Sequence, residues 1–433
     1  MDTTPVEQNG ILRSPPVSLP LVLQDPATSN LDATTRFYLD YYNERICRLF
    51  IVYDSDRNPF RSLISLALDD PVLLKATLAL AARHRANTGR SFYQSDVATS
   101  PVTTKSHRDA LIFKYQAVQG LSRIVNDVTL HRKDTTLAAV FLLIFLDLLE
   151  SGSDKWNFHL EGAKNLITLD QRPPGSHTGV NQGAGRTVQE IRDFITRQIY
   201  LVETLGGTFV RPGLLSQFTT LDQFGRQLPE VVEQSFVGCP EFLLNAVQYI
   251  LRQRDAIAGL EPLTKTTVHN RVQEITAVLE SIQKFDCYLW ASSLPQPQSL
   301  KRDLKNLCTL SETWKISALI YGQRVLDIHT NDVSPQDNLV CQLIELIGAL
   351  KDDELYKCIL WPIFIAGLEC RWQTQRDFLV GCLEKFWTAT QCYNTINAAK
   401  ILQAYWQQES QQEPFSPQWI FDIGHLGRDW LLI

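Results

Sequence analysis

The chain has 433 residues, of which 44% are hydrophobic and 20% charged, with a formal net charge of −6. That is ordinary globular composition, and without any Lys/Arg run it excludes a free-standing nucleic-acid binder of the usual basic kind. Nine scattered cysteines with no CxxC pair, and no Asn-x-Ser/Thr sequon, point to a reducing, intracellular compartment.

Residues 1–30 are rich in Pro, Ser, Thr and Gln and read as a flexible arm. The arm has no apolar stretch of signal-peptide type. From there to residue 433 the pattern reads as one helical unit. Thr34–Val52 is helical, with Phe37, Tyr41, Tyr42, Ile46, Leu49 and Phe50 as its apolar set. Asn58-Pro59-Phe60 marks a turn, and Asp70-Pro71 pairs an N-cap with proline at the first helical position. The Ala/Leu-rich helix PVLLKATLALAARHRA follows, then a polar loop over 88–104 and an amphipathic helix over His107–Val125.

The central stretch is Asp134–Leu169. Asp134 is placed to cap a helix, and Leu137–Leu149 is apolar on nearly every face, so that helix must be enclosed by others. The same run contains Asp147 and is too short to span a bilayer. Ser151-Gly152 stops it, and Trp156, Leu160, Ala163 and Leu166/Ile167 mark a second, antiparallel helix. A Gly/Pro-rich loop is expected near 171–186, then helix over Thr187–Leu205, ended by Gly206-Gly207. Thr208–Val237 is weakly patterned. Cys239-Pro240 opens the next helix, and further helices are expected near 264–290, 300–328, 336–351, 354–372, 374–390 and 394–408, with a kink or start at Pro362. No sustained period-two alternation or fixed-period repeat occurs, so the fold class is all-α: a large irregular array of helices around the buried hairpin.

Catalytic equipment is not visible. There is no GxxxxGK[ST], GxSxG or HExxH, and no two histidines stand three or four apart. No cofactor and no metal site is predicted. Cys358, Cys370 and Cys382, twelve apart, read as small core residues rather than ligands. Asp352, Asp353 and Glu354 read as a helix N-terminus.

Six segments nevertheless form an ordered set: DPVLLKATLALAARH after Asn58-Pro59-Phe60; ALIFKYQAVQGLSRIV; DTTLAAVFLLIFLDLLESG with KWNFHLEGAKNLI; GCPEFLLNAVQYI; WPIFIAGLECRWQTQRDF; and AAKILQAYWQ. Together they resemble the helical regulatory region of fungal-specific transcription factors, over roughly residues 34–430. That region often lies downstream of a Zn(II)2Cys6 cluster, which needs six closely spaced cysteines, whereas Cys47 is the only cysteine here before Cys239. The resemblance therefore implies a nuclear, non-enzymatic transcription regulator lacking its own zinc cluster. It would work through protein partners (a DNA-bound factor or transcription machinery), or its cluster would lie in a lost or misannotated upstream exon. Direct DNA binding is doubtful, no membrane role is implied, and a homo- or heterodimer and a small-molecule effector are both compatible with it. The family's link to secondary-metabolite gene clusters suggests one kind of target. Candidate contact residues are Trp156 and His159 in the hairpin, Arg211 after the Gly-Gly break, and Trp361, Arg371 and Arg376 on the C-terminal helices; each also has a purely structural reading. The rivals are a helical scaffold and a helical biosynthetic enzyme. For a terpene-cyclase type of enzyme, Asp69-Asp70 and Asp352-Asp353-Glu354 make a poor match to the DDxxD that holds magnesium.

Overall fold

The computed structural model describes residues 30–55, 57–93, 101–125, 134–153, 155–169, 182–216, 235–258, 265–294, 304–409, 419–423 and 428–433. The expected arm over 1–30, apart from Asn30, and the expected loop over 171–181 lie outside them. Among the described residues the regular structure is helical, and the β content is one isolated antiparallel bridge, Ser153 with Trp430.

The first helices start on short polar caps. Asp32 opens α1 (Ala33–Tyr41), accepting from the Thr34 and Thr35 amides at 2.9 and 3.0 Å. The chain then widens into a π turn at Tyr42–Ile46 and ends in α2 (Cys47–Leu49), so the helix expected over Thr34–Val52 is interrupted and shorter. Asn58 caps α3 (Pro59–Asp69), which corrects the reading of Asn58-Pro59-Phe60 as a simple turn: it is a cap and first-position proline, the same device as Asp70-Pro71. Asp70 opens α4 (Pro71–Asn87) and also accepts from Thr135 Oγ1 at 2.7 Å, which pins the start of α4 beside the start of α6 (Asp134–Glu150). Between them, α5 (Pro101–Val125) begins six residues earlier than periodicity suggests. It lies close against α4 because Gly120 leaves room for Val72; a Cβ there would come within 2.5 Å of that side chain.

Every residue from Thr136 to Leu149 in α6 is buried, by α4, α5, α7 (Trp156–Leu169), α8 (Gln182–Gly207) and α17 (Asn394–Glu409). Because α8 begins at Gln182, the end of the expected 171–186 loop is helical instead. The α6–α7 turn is made by Gly152, whose φ of +68° suits glycine. A side chain there would also strike Asn394 and the Leu431 carbonyl.

In the C-terminal half, α9 (Glu241–Ala258) and α10 (Lys265–Lys284) pack on α12 (Leu304–Thr330), with α11 (Cys287–Ser293) between. Asp286 caps α11 and so divides the single helix expected over 264–290. Beyond α13 (Asp337–Ala349), Asp352 caps the short α14 (Asp353–Tyr356), as the acidic cluster suggested. The expected 354–372 helix thus becomes α14 and a separate α15 (Leu360–Glu369), with Pro362 near the start of the second. Every residue of α15 is buried, and it packs on α12, α13, α16 (Gln373–Thr390) and α17. The turn α18 (Trp419–Asp422) follows, and residues 428–433 return to the hairpin, where the Leu431 amide donates to the Gly152 carbonyl at 2.7 Å. Cys358, Cys370 and Cys382 are buried, as expected of small core residues.

Candidate functional site

The six residues singled out from the sequence do not converge. Trp156 is fully buried and its indole N–H donates to the Asp429 carbonyl at 3.1 Å. Arg211 meets the same residue, holding the Asp429 carboxylate through Nε at 3.2 Å and Nη2 at 2.8 Å. These two are therefore brought together, around the returning C-terminal segment. Trp361 is also fully buried. It stacks on Trp314 with centroids 5.5 Å apart and planes at 11°, and its N–H donates to Thr208 Oγ1 at 2.9 Å. Neither tryptophan presents a face to a partner. Arg371 Nε lies 3.5 Å from Asp337 Oδ1, and Arg376 sits over the Trp406 ring at 5.4 Å, on the side of the molecule where Trp372 is exposed.

His159 belongs to a different place, a polar seam beside α6. Asp147 is buried on that otherwise apolar helix. Lys114 Nζ from α5 lies 3.6 Å from Asp147 Oδ1 and bonds Glu150. Arg83 from α4 donates to Glu150 at 3.0 Å and meets His107 Nδ1 at 2.9 Å. His159 Nε2 stands 3.8 Å from Asp147 Oδ2, an oxygen with no hydrogen-bond partner among the described residues. Burial first, and Glu150 second to it, push the Asp147 carboxyl up to about 7 against the pull of Lys114. Burial and the nearby Lys114 and Lys155 push His159 down to about 4, so near neutrality the imidazole carries no charge. The seam is a store of unfavourable electrostatic energy, relieved by taking a proton at Asp147. Sequence reasoning noticed Asp147 only as an argument against a membrane span; its place on an all-round apolar helix was the available signal.

A second buried polar group was missed entirely. Arg324 on α12 makes a bidentate pair with Glu369 on α15 at 2.7 and 2.6 Å, and also donates to Asp327 at 2.7 Å and the Ser334 carbonyl at 2.8 Å. Trp419 N–H completes Glu369 Oε1 at 2.7 Å. Among the described residues no group of three or more His, Cys, Asp or Glu is placed to hold a metal ion. No helix among them is long and apolar enough to cross a membrane.

Among the described residues, exposed apolar side chains gather in several places. On α5, Leu111, Ile112, Tyr115 and Val118 are exposed. Near the α10–α11 corner, Phe242 stacks on Phe285 beside exposed Tyr288 and Leu289. Trp372 and Phe378 lie by α16.

Comparison with known proteins joins this helical architecture to a family. The chain is 25% identical over 426 residues to the acriflavine sensitivity control protein acr-2 of Neurospora crassa, an alignment covering 94% of this chain and 68% of that one. No solved structure matches it. The family model described as fungal specific transcription factor domain matches residues 37–433, from the middle of α1 to the C-terminal segment that closes on the hairpin. The chain therefore belongs to the fungal specific transcription factor domain family, and it is a transcriptional regulator of fungal type.

Proposed function

We propose that the chain acts on transcription through contacts with other proteins, in the nucleus, without catalysis and with no six-cysteine zinc cluster among residues 1–433. The observation that carries this reading is the family match across residues 37–433, in a sequence whose cysteines before residue 239 amount to Cys47 alone. A six-thiolate cluster has no donors there. DNA is then reached through a DNA-bound partner, and the 31–433 unit is the part that partner contacts. An apolar helix face exposed on a rigid helical body is the recognition mode that suits such a unit. The targets we propose are genes of one local pathway, a secondary-metabolite gene cluster being the kind suggested by the family. The Neurospora relative is named for control of acriflavine sensitivity, which favours, as a second reading, genes that answer a toxic small molecule.

The test is affinity purification of the tagged chain from nuclear extract, with a gel-shift on the purified protein. Recovery of a zinc-cluster factor or transcription machinery, with no shift by the chain alone, is the expected result. A chain confined to the cytosol, or one that shifts DNA unaided, overturns the proposal. Transcript profiling of a deletion strain separates the two target readings: a silenced contiguous cluster supports the first, and an altered response to acridine dye supports the second.

A further inference from the structure

We propose that the outward face of α5 is a docking surface for an acidic amphipathic helix of another protein. The inference rests on the partner-dependent reading above and gives that contact a place and a chemistry.

The helix is apolar on two opposite sides. Its inner side, with Ala110, Phe113, Ala117 and Leu121, is buried against the body. Its outer side carries Leu111, Tyr115 and Val118 at i, i+4 and i+7, which puts them on one stripe, and they are 48%, 66% and 42% exposed. Isolated exposed apolar residues need no explanation, but a stripe at helical spacing is the pattern a helix presents to another helix. The stripe runs for about 10 Å, two turns, and lies within a helix long enough to seat a partner of three or four turns.

Charge decides the occupant. The charged side chains exposed on α5 are Lys105, Arg108 and Arg123, all cationic. They follow one flank of the stripe, on either end of it. The acidic residue of the helix, Asp109, is buried and accepts from Tyr38. A second copy of this chain fits poorly: in a parallel pairing the cationic flank of each copy meets a flank with no exposed acid, and an antiparallel pairing about the stripe's centre brings Lys105 near Arg123 of the other copy. A partner helix with leucines or aromatics at the same spacing and glutamates or aspartates beside them meets both the stripe and the cations.

The experiment uses the full chain and a fluorescein-labelled 18-residue peptide with Leu at helical i, i+3, i+4, i+7 spacing and Glu elsewhere, read by fluorescence anisotropy. Saturable binding is expected, lost by a peptide of the same composition with scrambled spacing. Leu111→Ala with Tyr115→Ala weakens binding by about tenfold or more. Arg108→Glu with Arg123→Glu weakens it by a similar factor at low salt and by less at 0.5 M salt, because exposed charges are screened. Circular dichroism melts confirm that each variant folds, and Phe242→Ala at the other apolar area leaves binding unchanged. No saturation below about 1 mM overturns the proposal. So does self-association abolished by Tyr115→Ala, competition by a peptide of residues 1–29, or preference for anionic vesicles over the peptide, since each names a different occupant. Reporter assays keep the two readings apart: loss of peptide binding with regulation intact removes the α5 surface alone, whereas peptide binding by a chain with no effect on transcription removes the regulator's partner model.

Discussion

The two halves of the molecule each bury charge beside a central helix, and they do it to different standards. Around α12 and α15 a single guanidinium, Arg324, is surrounded by a carbonyl and two carboxylates, one of which, Glu369, also accepts from an indole N–H, with the geometry of strong charge-assisted bonds. Around α6 one carboxylate, Asp147, sits in an apolar helix with a lysine at 3.6 Å, an uncharged histidine at 3.8 Å and one oxygen without a hydrogen-bond partner among the described residues. Satisfied buried charge fixes an arrangement, while under-satisfied buried charge is a liability whose size depends on pH. The C-terminal half is thus held in one register, and the N-terminal half retains a site where protonation and energy are linked.

The largest effect is expected where the satisfied network is broken. Arg324→Met leaves Asp327 and Glu369 buried with no countercharge, and should destabilise by about 3–5 kcal/mol, read from urea unfolding. If the variant unfolds within 1 kcal/mol of the parent (about the net worth of an ordinary hydrogen bond), then the network is not what fixes α12 on α15. Trp361→Ala should cost about 3–4 kcal/mol, through the cavity and the lost stack on Trp314. Trp361→Phe should cost clearly less, because only the indole N–H to Thr208 and part of the stack are removed.

How much of this was legible beforehand divides in the same way. The enclosed α6, the α6–α7 hairpin and the all-helical class follow from runs of apolar residues, because burial on every face needs no knowledge of the neighbours. Helix interruptions were harder. The π turn at Tyr42–Ile46 and the breaks at Asp286 and between Tyr356 and Leu360 occur inside sequences that keep helical spacing, so periodicity passes over them. The α3 helix was recoverable, since Asn58-Pro59 repeats the signal of Asp70-Pro71 twelve residues later. The Arg324–Glu369 pair was not, for its members stand 45 positions apart and only packing of α15 on α12 brings them together. The same holds for Arg211 and Trp156, which meet through Asp429.

The under-satisfied seam gives a prediction of opposite sign. The folded state holds the Asp147 proton up to about pH 7, whereas the unfolded chain releases it near 3.8. Asp147 therefore costs nothing below its unfolded value and progressively more as pH rises towards 7. Asp147→Asn should match the parent at pH 4 and exceed it at pH 8 by roughly 1–3 kcal/mol. His159 runs the other way: its lowered value means the unfolded chain gains a proton first, so stability falls as pH drops from 6.5 towards 4, and His159→Gln should remove that fall alone. A parent whose unfolding midpoint is flat from pH 4 to 8, and unchanged by both substitutions, would show that the seam is relaxed by water and that the two halves bury charge to the same standard.

The smallest effect is expected at the clasp that joins the halves. Arg211 is more than half exposed, and its ion pair with Asp429 is open to solvent on one side. Such a pair is screened by salt and contributes little to global stability. What it does locally is different, because Asp429 also receives the Arg211 amide at 3.2 Å and offers its carbonyl to Trp156, so its position orients the segment that ends in buried Leu431, Leu432 and Ile433. Arg211→Gln should therefore leave the thermal midpoint nearly unchanged while speeding exchange of the Leu431 amide, which is bonded to Gly152, and the difference should shrink in 0.5 M salt. A fall in the midpoint as large as that of Trp361→Ala would mean that the C-terminal segment is a cooperative part of the core, opened by loss of a surface ion pair. Loss of exchange protection confined to Leu431 and its neighbours would instead place the segment among the first parts of the molecule to open.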